Sequence, residues 1–228
     1  MTLRILAVWF LLSLLGGCTS DPHRSLSQLA KTDIDLVIDA YINEQEALCR
    51  ALTRKLYKRN PFELHKNKGM TIDQRMDQLF RRPRQLAFAE LKFNKGTNAI
   101  DLAFDPTFRG DRVFALMVGL TSMLDAAYGN RTDYYFIDQL PADKLDKSAR
   151  NLEIVLWRLK NKGPAAGSVW LLSNSLDPEK PNLSFERLFG KMIALQDMMA
   201  TIAGDGDQRA VNRFVQGIAS TALFPLGI

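Results

Sequence analysis

The stretch from Asp111 to Tyr128 constrains the fold most, because it predicts a helix with apolar residues on nearly every face. Asp111 can cap the start of this helix and Gly129 can end it. A helix that is apolar all round has to be buried on all sides. We therefore expect it to form the centre of the protein, with Asp111, Ser122 and Asp125 as a thin exposed edge.

The helices that would surround this centre are indicated by an apolar periodicity of 3.6 residues and by capping residues. They are predicted from Thr32 or Asp33 to about Arg59, from Thr71 to near Pro83, from Ala142 to Lys160, from Ser184 to about Ala203, and from Gln208 to about Ser220. Thr71 and Gln74 form a capping-box pattern. The sequence therefore predicts a mostly α protein, a five- or six-helix orthogonal or irregular bundle around a buried central helix.

One segment leaves room for a small β-hairpin, which would make the protein α+β. Residues Gln85–Phe93 and Asn98–Phe104 flank a short polar stretch in which Gly96 supplies the backbone freedom of a tight loop. This pattern favours the hairpin. A helix through Leu86–Leu91 is the alternative, because the segment contains good helix formers.

The first eighteen residues have the pattern of an export signal. Arg4 precedes a mostly apolar run, Ile5 to Leu15, that ends in Leu15-Gly16-Gly17-Cys18. The run is shorter than the about 20 residues that a membrane-spanning helix needs. Its charged start, apolar middle and small-residue end are those of a secretory signal.

The four residues Leu15-Gly16-Gly17-Cys18 resemble the lipobox of bacterial lipoproteins. The resemblance covers about twenty residues, and it implies cleavage between Gly17 and Cys18, diacylation of the Cys18 thiol and acylation of the new amino terminus. Residues 1–17 would then be a signal peptide, residues 18–31 a lipidated tether and residues 32–228 a single helical domain. Thr19 stands where lipoproteins retained in the inner membrane of many Gram-negative bacteria carry Asp, so the resemblance implies the outer membrane, facing the periplasm.

Positive charge is concentrated in one part of the chain. The segment Arg50–Arg84 has a net charge of +8, whereas the whole chain has +5. Arg50, Arg54 and Lys58 recur at four-residue spacing and therefore share one helix face. We call the following residues the predicted basic surface: Arg50, Arg54, Lys58, Arg81, Arg82 and Arg84. It is either an ordinary solvated face or a footprint for anionic lipid, lipopolysaccharide or an acidic protein; the modest overall excess does not indicate nucleic acid.

The sequence predicts no metal and no cofactor. Only two histidines, His23 and His65, and two cysteines are present, so a zinc or haem site and a Ser-His-Asp triad are not expected. Carboxylates alone can cleave glycans, and Glu90 and Glu153, which lie beside apolar residues, are the candidates for such a reaction. Ion pairing is the simpler explanation of each, and for Glu153 Arg150 offers a partner three residues away.

Three classes of function stay open on these grounds. A non-enzymatic envelope interaction or accessory protein is favoured over an enzyme that acts on envelope glycan or lipid. A carrier of an apolar ligand is the third class, because eight methionines and many leucines can line a pocket between helices.

Two further features have a structural and a functional interpretation. Cys49 is expected to be a buried, inert thiol, with an intermolecular disulfide as the alternative. The aromatic residues between Tyr128 and Phe136 either fill the core or stack on sugars.

Overall fold

The computed structural model describes residues 33–66, 69–130, 140–175, 177 and 179–205. Within these residues the protein is 69% helical, with seven α-helices and no strand. The prediction of a mostly α bundle is therefore confirmed. The signal peptide, the tether and the helix predicted from Gln208 to Ser220 lie outside the described residues.

In chain order the helices are α1 (Asp33–Arg59), α2 (Pro61–His65), α3 (Ile72–Phe80), α4 (Gly96–Phe104), α5 (Arg112–Ala127), α6 (Ala142–Asn161) and α7 (Ser184–Asp205). A single 3-10 turn, Ala89–Leu91, lies between α3 and α4. Thr71 caps α3 in a capping box, as its spacing from Gln74 predicts. None of the helices in the described ranges combines the length and the apolar character that a membrane crossing needs.

Helix α5 is the buried centre of the bundle, as its apolar sequence predicts. Thirteen of its residues are buried, and α3, α4 and α6 all pack against it. Gly119 allows the closest of these approaches, because a Cβ atom there would lie 2.6 Å from a side-chain carbon of Ile100 and 2.8 Å from the carbonyl oxygen of Gly96. Helix α4 thus lies almost backbone to backbone on α5.

The predicted hairpin is wrong. Residues 84–88 form no regular secondary structure, and Gly96–Phe104 forms α4 instead of a strand. Helix α4 buries Ala99, Ile100 and Ala103, whose three- and four-residue spacing matches a helix packed on α5. The alternative of a helix through Leu86–Leu91 is reduced to the 3-10 turn.

The expectation that Asp111 lies on an exposed edge is also wrong. Its side chain is buried, with 2% of the residue exposed, and it accepts a hydrogen bond from the Phe114 amide at 2.9 Å. A helical projection places Asp111 on the polar seam, but a capping side chain folds back over the first turn of its helix. The other two residues of the seam, Ser122 and Asp125, are half-buried.

Candidate functional site

Three of the six residues of the predicted basic surface converge on the carboxylate of Glu46 in α1. Glu46 forms ion pairs with Arg50 at 2.7 Å, with Arg82 at 3.0 Å and with Arg84. Burial on its own raises the pKa of Glu46, but hydrogen bonds from Arg50 and Arg82 and the charge of Arg84 outweigh it, so that the pKa is lowered. An ionised Glu46 therefore gathers three arginines that are up to 38 residues away in sequence.

The other members of the predicted basic surface are less concentrated. Arg54 pairs with Asp73 at 3.1 Å and Arg81 pairs with Asp77 at 3.2 Å, both in exposed positions. Exposed pairs of this kind stabilise a protein by about 0–1 kcal/mol. Lys58 is exposed. Carboxylates of the same chain therefore neutralise much of the positive charge of the predicted basic surface. Binding of an anionic partner stays a prediction.

Arg84 differs from the other five because it belongs to the interior. Its side chain is 9% exposed, and it pairs with both Glu46 and Asp125. Asp125 lies on α5, so these pairs connect α1, the segment after α3 that contains Arg84, and the central helix. The structure therefore gives Asp125 a role as a partner of Arg84, which the sequence does not reveal.

A small cavity with both polar and apolar walls lies between α1 and α5 beside Arg84. We call it the Gln45 cavity; its volume is about 30 Å³, and it is lined by Gln45, Glu46, Cys49, Arg84, Thr121 and Asp125 among others. Gln45 and Thr121 are each 3% exposed. Both amide atoms of Gln45, the Thr121 hydroxyl and the Arg84 Nε have no hydrogen-bond partner among the described residues. An unpaired buried polar group costs about 1–3 kcal/mol, and the cavity has room for about two water molecules.

A larger groove opens on the other side of the Arg84–Asp125 pair. We call it the polar groove; it has a volume of about 810 Å³ and includes Arg82, Arg84, Lys95, Thr97, Asn98 and Asp125 in its lining. This volume lies within the range of about 300–1,000 Å³ that is usual for ligand sites. Arg84 and Asp125 line both spaces, so this ion pair forms part of the wall of the cavity and of the groove.

A second buried polar cluster ties α1, α3, the 3-10 turn and α5 together. The Arg75 guanidinium donates to both carboxylate oxygens of Glu90 at 2.6 and 2.8 Å and lies 3.4 Å from Asp111. Tyr57 donates to Asp111 at 2.8 Å, and the guanidinium stacks on the Phe114 ring at 3.7 Å. Burial raises the pKa of Asp111 to about 6, against the opposing effects of the Phe114 amide and the Arg75 charge.

This cluster has a group suited to proton transfer, but it is closed to solvent. A carboxyl with a pKa near neutrality can act as a general acid or base. Tyr57, Arg75 and Asp111 are all buried, however, and Glu90, with a side chain 32% exposed, pairs with Arg75. The geometry therefore describes a structural network that anchors the start of α5.

The two catalytic candidates of the sequence, Glu90 and Glu153, have separate ion-pair partners. Glu90 belongs to the Arg75 cluster, and Glu153 on α6 pairs with Arg150 at 2.5 Å, the partner that the sequence indicates. The structure does not show them sharing a site. Within the described ranges, no group of three or more His, Cys, Asp and Glu side chains is placed to hold a metal ion.

Cys49 and His65, the other residues singled out in the sequence, occupy contrasting environments. Cys49 is buried, and burial raises the pKa of its thiol to about 12, which fits the prediction of an inert thiol. His65 is exposed at the end of α2. Gly17, Cys18 and the aromatic stretch Asp133–Phe136 lie outside the described residues, so their predicted roles stay predictions.

Comparisons of the chain with protein-family models, with curated proteins and with solved structures found no match.

Proposed function

We propose that the protein is a lipid-anchored envelope protein of the outer membrane, facing the periplasm, that acts as a non-enzymatic interaction or accessory factor for an anionic partner. The anchor is supported by the lipobox-like sequence that ends at Cys18. Recognition of an anionic partner is supported by the Glu46 cluster, which consists of Glu46, Asp125, Arg50, Arg82 and Arg84. This cluster carries the proposal. Its three arginines exceed the charges of Glu46 and Asp125 by one, and Arg50 and Arg82 keep side-chain exposures of 42% and 47%.

Attachment to a membrane would make even a weak charged surface effective. The thirteen residues Thr19–Lys31 reach about 45 Å when extended, so a tethered domain stays within tens of ångströms of the lipid surface and experiences a high effective concentration of it. Each exposed Lys or Arg near an anionic surface contributes about 1 kcal/mol. The partner classes that fit are anionic lipid, lipopolysaccharide or an acidic protein.

The anchor is tested by changing Cys18 to Ala in the full chain. We expect the variant to lose palmitate labelling and to leave the detergent phase, because three acyl chains exceed the two signals that stable attachment needs. A variant that remains labelled and detergent-partitioning like the wild type would contradict the lipoprotein assignment.

The anionic surface is tested by co-sedimentation of the unlipidated chain with anionic and neutral vesicles. The test variant replaces five residues by Gln: Arg50, Arg54, Lys58, Arg81 and Arg82. Arg84 is kept because it is buried. The matched control replaces five exposed lysines of α6, its end and α7: Lys144, Lys147, Lys160, Lys162 and Lys191.

We expect the control to bind anionic vesicles like the wild type and the test variant to bind them less. Binding by all three proteins should fall as the salt concentration rises, because salt screens exposed charges over about 8 Å at physiological ionic strength. Equal binding by the test variant and the control would remove lipid as the partner. It would leave an acidic protein, which a pull-down from solubilised membranes with the same two variants would test.

A second candidate function, carriage of an apolar ligand, is supported by one groove. Tyr41 and Leu48 of α1 face Leu195 and Met198 of α7 across a groove of about 310 Å³. This volume is at the lower end of the usual range for ligand sites. Uptake of a fluorescent fatty acid that Leu195→Glu abolishes would support the carrier, and no uptake by the wild type would remove it.

A further inference from the structure

We propose that the segment Gln208–Ser220 forms a helix that covers the apolar groove between α1 and α7. The apolar groove is the space of about 310 Å³ that is lined by Tyr41, Glu44, Leu48, Lys191, Ala194, Leu195 and Met198. The inference does not rest on the proposed function, because none of these lining residues belongs to the Glu46 cluster. It assigns the groove to a segment of the same chain.

The walls of the apolar groove are two helix faces with space between them. The lining residues of α7 recur at three- and four-residue spacing from Lys191 to Met198, so they form one face of the helix. Ala194 is exposed, and Tyr41 and Leu195 are only half-buried. Glu44 and Lys191 are the charged residues among the seven that line it. An apolar helix face of this kind is stabilised when another apolar element packs on it.

Helices α1 and α7 run in opposite directions, which decides where the chain continues. Lys55 near the end of α1 is hydrogen-bonded to Ser184 at the start of α7. At the other end, Ile38 belongs to the same buried cluster as Ile202. A chain that reverses its direction after the end of α7 at Asp205 therefore runs back along both helices and reaches the groove.

The sequence after α7 suits such a reversal. Gly206 supplies the backbone freedom of a tight turn, and Asp207 can cap the helix that the sequence predicts from Gln208 to about Ser220. This helix of 13 residues is about 20 Å long at 1.5 Å per residue. The distance along α7 from Asp205 back to Lys191, 14 residues, is about 21 Å on the same basis. The predicted helix therefore has the length that the groove requires.

The predicted helix also has one apolar face. Its apolar residues recur at three- and four-residue spacing, and they are Val211, Phe214, Val215 and Ile218. The opposite face consists of Arg209, Asn212, Arg213 and Gln216. A reversal centred on the pair 206–207 places Val215 level with Met198 and Ile218 level with Leu195. The apolar face of the segment and the apolar groove thus coincide in position as well as in character.

Covalent attachment favours this segment over a free ligand or a second copy. Because it follows α7 directly, the segment is present at the groove at a high effective concentration, whereas a separate molecule has to compete with it. A groove that is covered in this way can take up an apolar ligand only after the segment has left. The inference therefore also bears on the second candidate function.

The test is disulfide cross-linking of the full-length chain with a mild oxidant in a neutral detergent. The groove pair is Leu195→Cys with Ile218→Cys. The matched control pair is Leu195→Cys with Gln216→Cys, which puts the second cysteine on the polar face of the predicted helix. Leu195→Cys alone detects any bridge to the buried Cys49. Circular dichroism and thermal unfolding establish that each variant is folded.

We expect the groove pair to form an intramolecular disulfide about tenfold faster than the control pair, because a packed helix keeps its apolar face at the groove. Trypsin should then release the peptide 192–209 joined to the peptide 214–228. Equal rates for the two pairs would overturn the proposal. A disulfide that joins two chains into a dimer would also overturn it and would assign the groove to a second copy.

A second readout needs no cysteine and uses the unlipidated chain without detergent. Val215→Asp with Ile218→Asp should uncover the groove, and Asn212→Asp with Gln216→Asp is the matched control on the polar face. We expect a neutral fluorescent apolar dye to bind the first variant more strongly than the control and the wild type. Adding Leu195→Glu to the first variant should abolish the extra binding. Equal dye binding by all proteins, or extra binding that survives Leu195→Glu, would overturn the proposal.

Discussion

Replacing Asp111 by Asn should remove a specific pH dependence from the stability of the protein. The Phe114 amide and the Tyr57 hydroxyl donate to different oxygens of Asp111. Asn keeps an oxygen for the Phe114 amide, and its NH2 group can donate to the Tyr57 oxygen in place of the bond that Tyr57 gives. What the change removes is the titration. Burial raises the pKa of Asp111 from 3.8 to about 6, so the folded state binds its proton more tightly than the unfolded chain does.

The sign and size of the effect follow from that difference. Between pH 4 and pH 6 the folded wild type carries more protons than the unfolded chain, and its free energy of unfolding therefore falls as pH rises. Two pKa units at about 1.4 kcal/mol each amount to about 3 kcal/mol. Asp111→Asn should gain that amount relative to the wild type between pH 4 and pH 7, and the difference should level off above pH 7.

The measurement is urea unfolding of both proteins, followed by far-UV circular dichroism at intervals from pH 4 to pH 8. A matched control is Asp143→Asn in α6, an exposed carboxylate whose pKa is lowered first of all by a hydrogen bond from Lys147. The difference between this control and the wild type should slope in the opposite direction and weakly. A flat difference for Asp111→Asn, or a variant that loses stability relative to the wild type as pH rises, would show that burial does not raise the pKa of Asp111.

Three further predictions concern packing, the buried ion pair and cofactors. Gly119→Ala should destabilise the protein by about 1–3 kcal/mol, because its Cβ would overlap backbone atoms of α4. The control Gly190→Ala, in an open position of α7, should stabilise the protein by about 0.5–1 kcal/mol. Equal melting temperatures of Gly119→Ala and the wild type would contradict the close approach of α4 and α5. Arg84→Met should cost about 1–3 kcal/mol in urea unfolding by leaving Asp125 without its partner, and a neutral result would show that the pair does not form. A chain that begins at Ser25 should melt at the same temperature with and without a chelator or a reductant, and a substantial decrease with either would reveal a metal or disulfide that the sequence does not predict.

Apolar periodicity carries most of the information about the fold. Helix α5 is apolar on almost every face, and it is the buried centre for that reason. The segment after α3 is harder to predict because its apolar runs are short, and a short run fits a strand and a helix equally. Packing against Gly119 decides in favour of α4, and the effect of a glycine 23 residues away is not visible in the local pattern.

The candidate site could be predicted only in part, because its pairs join distant segments. The cluster of basic residues is visible in the sequence, but their convergence on Glu46 depends on the fold that brings residues 82–84 beside α1. The four-residue spacing of Glu46 and Arg50 is the one local signal that could have revealed it. Gln45 and Thr121 carry no such signal, since an isolated polar residue in a helix gives no indication that it faces a cavity.

The whole proposed function depends on anchoring of the chain to a membrane by a lipidated Cys18. Mass spectrometry of the amino-terminal tryptic peptide from isolated membranes tests this anchoring directly. Trypsin should release Cys18-Thr19-Ser20-Asp21-Pro22-His23-Arg24. We expect this peptide to begin at Cys18 and to carry a diacylglyceryl group on sulfur and an acyl chain on nitrogen. A peptide that begins at another residue, or an unmodified Cys18, would contradict lipid anchoring.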